Sequence, residues 1–331
     1  MRQLSWPKTP PNQQPTTPSP APMESDDPLD LTSFRPSQIV DDENPVHEIM
    51  FGDLEIKTPP PSPPAFMIGP GRSGSHFLQA VMAGSDNLLA LHFDQIYPFA
   101  DSFTHYSKFH SLPLDIGGFV WSRRCLVERA ALKGKSYFEA SPLSSLMIED
   151  LDRSFDKAVF IFLVRDPVNT VASMVARHNY RRRFAVDNPD LISGYQYNTP
   201  RPATYFGSQG PRGKEEFERW VRLTEIGKTS WYWRTVCEKA LEQFDRIADG
   251  RKRIIRIEDF DYEQYLRLTE LFAFKPIPKP DFDGLRVDPP GKTGNTRPLV
   301  DYEDWSIDAR REFQEETSEL AERFGYQLTK P

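Results

Sequence analysis

The chain has 331 residues, a net charge of −7 and two cysteines, Cys125 and Cys237, which excludes a disulfide framework and any zinc cluster. It contains no run of 18 apolar residues, so no membrane-spanning helix is expected, and no apolar signal core follows the first charges. The acid excess is concentrated at one end. Residues 1–64 hold 15 of the 31 prolines, with four basic and ten acidic residues that leave them at −6. The remaining 267 residues, 37 basic and 38 acidic, stand at −1.

Such a proline-rich segment buries too little apolar surface to offset its ordering entropy, so 1–64 reads as a disordered acidic tail. Two stretches inside it, 29–40 and 45–56, carry enough apolar residues to dock on the body or a partner; solvated linker is the plainer reading of both. The near-neutral remainder lacks the basic excess of a nucleic-acid binder. A soluble, cytoplasmic protein with no membrane and no nucleic-acid partner is expected, and both cysteines read as small buried hydrophobes in a reducing compartment.

From residue 65 onward the pattern alternates between strand and helix. Residues 65–68 form a short apolar strand, and a turn with Gly69, Gly71 and Gly74 follows. A helix over 74–84 places Phe77, Leu78, Val81 and Met82 on one face. A short strand is expected at 88–93, an aromatic loop at 94–118, a helix at 119–133, a strand at 136–140 and a helix at 142–153. Residues 158–164 are seven apolar residues without alternation, as in a strand covered on both faces. Pro167 opens a helix over 167–179. A polar stretch, 181–213, precedes a long helix or helix pair at 214–246 containing Trp220, Trp231 and Trp233. Then come a strand at 253–257, the acidic pair Glu258 and Asp259, a helix, a proline-rich loop at 276–298 and a final helix at 306–325. This order predicts an α/β architecture with a parallel sheet.

Two segments carry chemistry. Strand, glycine turn and helix N-terminus over 65–78 build an anion cradle from backbone N–H groups and a helix dipole. The turn has the spacing of a nucleotide P-loop, yet Ser75 and His76 follow Gly74 where nucleoside triphosphatases place lysine and a magnesium-binding hydroxyl, and the cation stands earlier, at Arg72. In the second segment Arg165 ends the strongest strand, where ligands bind in open α/β sheets, and Ser173 lies two helical turns beyond. An arginine fork backed by a hydroxyl suits a second phosphate. An Arg165–Asp166 surface pair with Asp166 as helix cap is the plainer alternative.

Together, Arg72, Ser73, Gly74 and Ser75 after the first strand, and Leu163 to Pro167 with Ser173 eight residues beyond the arginine, resemble the two cofactor motifs of PAPS-dependent sulfotransferases. PAPS is 3′-phosphoadenosine 5′-phosphosulfate. The wording is most similar to the carbohydrate and heparan-type branch, and order and spacing match over about 65–326. The resemblance implies a P-loop kinase-like, three-layer fold with a central, mainly five-stranded parallel sheet over residues 65–331. It also implies transfer of a sulfuryl group in line from PAPS to an acceptor hydroxyl of a sugar or small molecule, with no metal. By position, Arg72, Ser73, Gly74, Ser75 and His76 would hold the 5′ end, Arg72 neutralising the leaving phosphate, and Arg165 with Ser173 the 3′-phosphate. Lys292 and Arg297 fall where the family places a late loop over that phosphate.

For the base, Glu139 resembles the catalytic glutamate of a Glu-Lys-Ser/Thr-Pro segment, although Ala140 replaces the lysine; a structural glutamate is the alternative. His92 competes, because cytosolic branches use histidine. A basic run, Arg177 to Arg183, reads as a solvated helix end, with an anionic-substrate entrance the alternative; Trp231 and Trp233 read as core, with a stack on adenine the alternative; Glu258 and Asp259 read as structural. The rival functions are a small-metabolite P-loop kinase, which lacks its lysine and magnesium ligands here, and a non-catalytic PAPS- or PAP-binding interaction protein. The acceptor and the oligomeric state stay open, a homo-oligomer included.

Overall fold

The computed structural model describes residues 59–96, 98–176, 210–287 and 298–328. Outside them lie residues 1–58 of the acidic segment, the basic run 177–183, most of the polar stretch, and both Lys292 and Arg297.

Five strands form one sheet: β1 (Ala65–Ile68), β2 (Leu88–His92), β3 (Ser136–Ala140), β4 (Val159–Val164) and β5 (Lys252–Arg256). All pairings are parallel, in the order β2-β3-β1-β4-β5. The central strands β1, β3 and β4 are buried along their whole length. Phe66, Ile68, Phe160, Phe162 and Val164 face one core, whereas Ala65, Met67, Val159, Ile161 and Leu163 face the other. A strand covered on both faces needs apolar residues at both parities, which explains the unbroken run. Edge strand β2 alternates instead, with Leu88, Ala90 and His92 buried and Leu89 and Leu91 half-buried.

Helices cover both faces. α1 (Ser75–Ala83) packs Phe77, Leu78, Val81 and Met82 on the second core. α2 (Pro98–Phe109), α3 (Gly117–Leu132), α4 (Ile148–Ser154), α5 (Pro167–Ala176), α6 (Lys214–Trp220) and α7 (Glu225–Phe244) contribute to the first. α8 (Tyr262–Phe272) and α9 (Lys279–Val287) return to the second, and α10 (Ile307–Arg323) to the first. Trp220, Trp231 and Trp233 are core residues, at 1, 3 and 1% exposure. No helix among the described residues is long and apolar enough to cross a membrane.

Four expectations need correction. The aromatic loop at 94–118 contains α2, whose Tyr106 and Phe109 are buried, Phe109 against Trp231 and Tyr232 of α7. The proline-rich loop contains α9; Pro280 sits in its first turn, where a missing N–H costs nothing, and Phe282 packs on Phe77, Phe260 and Tyr265. The helix at 142–153 divides into a 3₁₀ turn, Pro142–Leu146, and α4. Cys125 is half-buried rather than buried, and burial pushes its thiol up to about 11. The folded body also begins slightly before residue 65. The Ser62 hydroxyl donates to Ser136 Oγ at 2.6 Å, and Pro64 O accepts from the Val159 N–H.

Candidate donor and catalytic site

The connection leaving β1 and the one leaving β4 run to opposite sides of the sheet, which opens a crevice between the carboxyl ends of these neighbours. The glycine turn leaves β1 there, and Arg165 leaves β4. Gly69, Gly71, Arg72 and Gly74 have φ of 148, 87, 56 and 95°. Gly69 is fixed by contact as well as conformation, since a Cβ there would lie 2.4 Å from the Leu163 carbonyl oxygen. A left-handed arginine costs about 1–2 kcal/mol, strain of the kind concentrated at functional sites. What the strained backbone achieves is a direction: Arg72 Nε donates to Ser173 Oγ at 2.9 Å. The two motifs, 101 residues apart in the chain, thus meet across the crevice.

Two serines hold the turn. Ser73 Oγ donates to Gly71 O at 3.1 Å, and Ser145 Oγ accepts from the Gly69 N–H at 2.8 Å while lying 2.7 Å from Gly69 O. The N-terminus of α1 has no capping side chain and no acid in its first turn, so its positive pole is not offset locally. At the second motif Asp166 caps α5, accepting from Asn169 N and Nδ2 at 2.9 Å each. Its own N–H donates to Glu258 Oε1, and the other Glu258 oxygen takes the Tyr326 hydroxyl, so Glu258 is structural as expected. Among the described residues Arg165 makes no ion pair, with Asp166 or any other acid. The capping half of the plainer reading holds and the pairing half does not. Ser173 is 3% exposed.

The base candidates have different surroundings. Glu139 is wholly buried and both its oxygens are occupied. Arg123 donates from Nε and Nη2 at 3.1 and 3.0 Å, Tyr137 OH at 3.0 Å and Ser144 Oγ at 2.7 Å. The same arginine pairs Asp101, whose carboxyl burial pushes up. Glu139 therefore accepts from side chains rather than from the N–H groups of the next helix.

His92, also buried, ends β2 in register with Ala140, itself beside Met67 of β1. Its Nδ1 is 2.8 Å from Asp94 Oδ1 and its Nε2 3.0 Å from Ser75 Oγ. A carboxylate can only accept, so Nδ1 carries the hydrogen and Nε2 takes the Ser75 hydroxyl proton. Burial lowers the His92 pKa, the Asp94 hydrogen bond opposes this, and His76 adds to the lowering. The His76 imidazole 3.8 Å away and the hydrogen bond from His92 hold the Asp94 carboxyl well below the usual range. The His76 ring lies on His92 at a centroid distance of 3.7 Å.

Asp94, Ser145, Asp101 and Arg123 escape the sequence reading. Asp94 had a signal: an acid two residues beyond a strand-end histidine is near enough to orient its ring, here through the 3₁₀ turn Phe93–Gln95. Another is Ser141 Oγ, which is fully buried at the end of β3 and lacks a hydrogen-bond partner among the described residues.

No protein-family model matches the chain, and no curated protein matches its sequence. The solved structures it is similar to include three sulfotransferases or sulfotransferase domains. That of the curacin biosynthetic pathway is 14% identical with a TM-score of 0.43, covering 82% of this chain and 100% of the other. STF9 from Mycobacterium avium is 14% identical at a TM-score of 0.47, covering 82 and 79%. The domain of the Synechococcus PCC 7002 olefin synthase is 16% identical at 0.40, covering 84 and 100%. At these values the functional reading rests on the chain's own residues.

Proposed function

We propose that this chain is a sulfotransferase that uses PAPS as donor and passes its sulfuryl group to an acceptor hydroxyl. The observation that carries the reading is the Arg72–Ser173 hydrogen bond, which brings both anion-binding motifs into one crevice. The donor set fits the group. An uncapped helix N-terminus and a glycine turn suit a phosphosulfate, and Arg165, with no acid partner among the described residues, together with the buried Ser173 suits a 3′-phosphate. Position 76, where a P-loop kinase would carry a magnesium-binding hydroxyl, is histidine.

PAPS, when bound, supplies the transferable sulfuryl group and a phosphate leaving group. Arg72, the backbone N–H groups of the turn, Ser73 and Ser75 would hold its 5′ end, and His76 stands beside them. Arg165 and Ser173 would hold the 3′-phosphate. Negative charge grows on the leaving phosphate during transfer, so fixed donors and the Arg72 guanidinium stabilise the transition state more than the ground state.

His92 is the better-supported base. Its Nε2 carries a lone pair beside the turn, oriented through Nδ1 by Asp94, and takes the acceptor proton directly or through the Ser75 hydroxyl. Glu139, favoured by the motif, is enclosed by four donors and reads as structural. Lys292 and Arg297 remain candidates for closing over the 3′-phosphate on the motif argument alone.

Calorimetric titration with PAP, the desulfated product, tests the reading. Micromolar PAP binding that disappears in Arg165→Ala is expected. Tighter binding of ATP with magnesium than of PAP would replace it with a kinase.

A further inference from the structure

His76, His92 and Asp94 bring two imidazoles and a carboxylate together at the mouth of the glycine turn. One donor atom from each lies within 4.8 Å of the other two. A tetrahedral zinc ion with bonds of ~2.0–2.1 Å requires donor atoms about 3.3 Å apart. Asp94 is 2.8 Å from His92 Nδ1 through one oxygen and 3.8 Å from His76 Nε2 through the other, separations that bracket this value. His76 and Asp94 are 40 and 55% exposed, so rotation of their side chains is open to bring one carboxylate oxygen to this distance from both rings.

The surroundings of His92 also match those of a metal-bound imidazole. Such a ring usually donates from its second nitrogen to a neighbouring acceptor, which fixes the tautomer. Here Ser75 Oγ lies 3.0 Å from Nε2 and can accept, leaving the Nδ1 lone pair for the ion. The His92 backbone N–H donates to Gln95 Oε1 at 2.9 Å, which fixes the main chain that carries the ring. The cysteine count, which rules out a thiolate cluster, has no bearing on a site built from imidazole and carboxylate.

The geometry points to a binding site for one divalent transition-metal ion of the zinc type, held by His76, His92 and Asp94 beside the anion-binding turn. Three protein ligands leave a fourth position for water or an anion. Binding moves the His92 hydrogen from Nδ1 to Nε2 and uses the other lone pair for the metal. Neither nitrogen then accepts a proton. On the reading given under Proposed function, the ion therefore acts as an inhibitor that removes the base rather than as a cofactor.

The test is a zinc titration of the full chain, freed of metal by chelation, against a chromophoric zinc indicator. Wild type, Asp94→Asn, His76→Ala and Cys125→Ser are compared, with circular dichroism to check that each folds. The site predicts one zinc per chain at micromolar affinity, weakened about tenfold or more in Asp94→Asn and in His76→Ala. It also predicts unchanged binding in Cys125→Ser. Failure of the wild type to bind at micromolar zinc overturns the proposal, and so does wild-type affinity in either the Asp94 or the His76 variant. The titration contains no nucleotide, so its result is independent of PAP binding. Zinc binding without PAP binding would keep the metal site and remove the sulfotransferase.

Discussion

Asp101, Arg123 and Glu139 are 2, 0 and 0% exposed, whereas the equally buried His92 is flanked by Asp94 and His76 at 55 and 40%. Both groups combine acid with base, and both include a residue in the last two positions of a strand at the ligand-binding edge of the sheet. They differ in what surrounds the proton-accepting atom. Each Glu139 oxygen takes two donors from the protein, so a proton could arrive there only by dismantling the network. His92 Nε2 faces a single serine hydroxyl beside the anion turn. A titratable residue in a promising motif is therefore made structural or chemical by the number of fixed partners it already has.

Substitutions in the two groups put that contrast to the test. His92→Asn should lower turnover about 10²–10⁴-fold while leaving the unfolding midpoint and PAP affinity nearly unchanged. Retained turnover with PAPS would return the base to Glu139. Arg123→Ala, which strands two buried acids, should destabilise the fold by about 3–5 kcal/mol in urea titrations. A loss within experimental error would mean that the trio is not sealed. Glu139→Gln keeps partners for Tyr137 and Ser144 but loses the ion pair, and should lose stability rather than activity per folded molecule.

Acid should expose a third buried group. His105 Nδ1 donates to Leu143 O, and its Nε2 lies 3.5 Å from the Tyr232 hydroxyl. Burial holds its pKa down at about 4, against an ordinary 6.5. The unfolded chain then binds the extra proton between these values, so stability is full above pH 6.5 and is lost as pH falls towards 4. The loss reaches about 2 kcal/mol by pH 5. The difference between urea midpoints at pH 7 and pH 5 should shrink in His105→Gln. The smallest effect, about 1 kcal/mol, is expected for Ser145→Ala, which removes the hydroxyl at the entry of the turn.

How far the chain discloses itself follows from the range of each interaction. β1, β4 and the anion turn are legible because burial on both faces and the need for positive φ act residue by residue. The sheet follows from the alternation of strands with helices. α2 is obscured because its aromatic, histidine and serine residues gain their helical order from packing Tyr106 and Phe109 onto the core. α9 is hidden by prolines that only the first turn of a helix tolerates. In the site, Arg72, Arg165 and Ser173 are readable from spacing. The roles of Asp101 and Arg123 are not, since their partners come from separate helices and a strand. Asp94 falls between, two residues from His92 in sequence but made meaningful by His76 from α1.

The most direct test of the account is a double-mutant cycle at the contact joining the two motifs. PAP dissociation constants are measured for wild type, Arg72→Ala, Ser173→Ala and the double variant. A shared donor site predicts that both single changes weaken PAP binding and that their effects are non-additive by about 0.5–3 kcal/mol. Additive losses, or PAP affinity unchanged in all three variants, would contradict it.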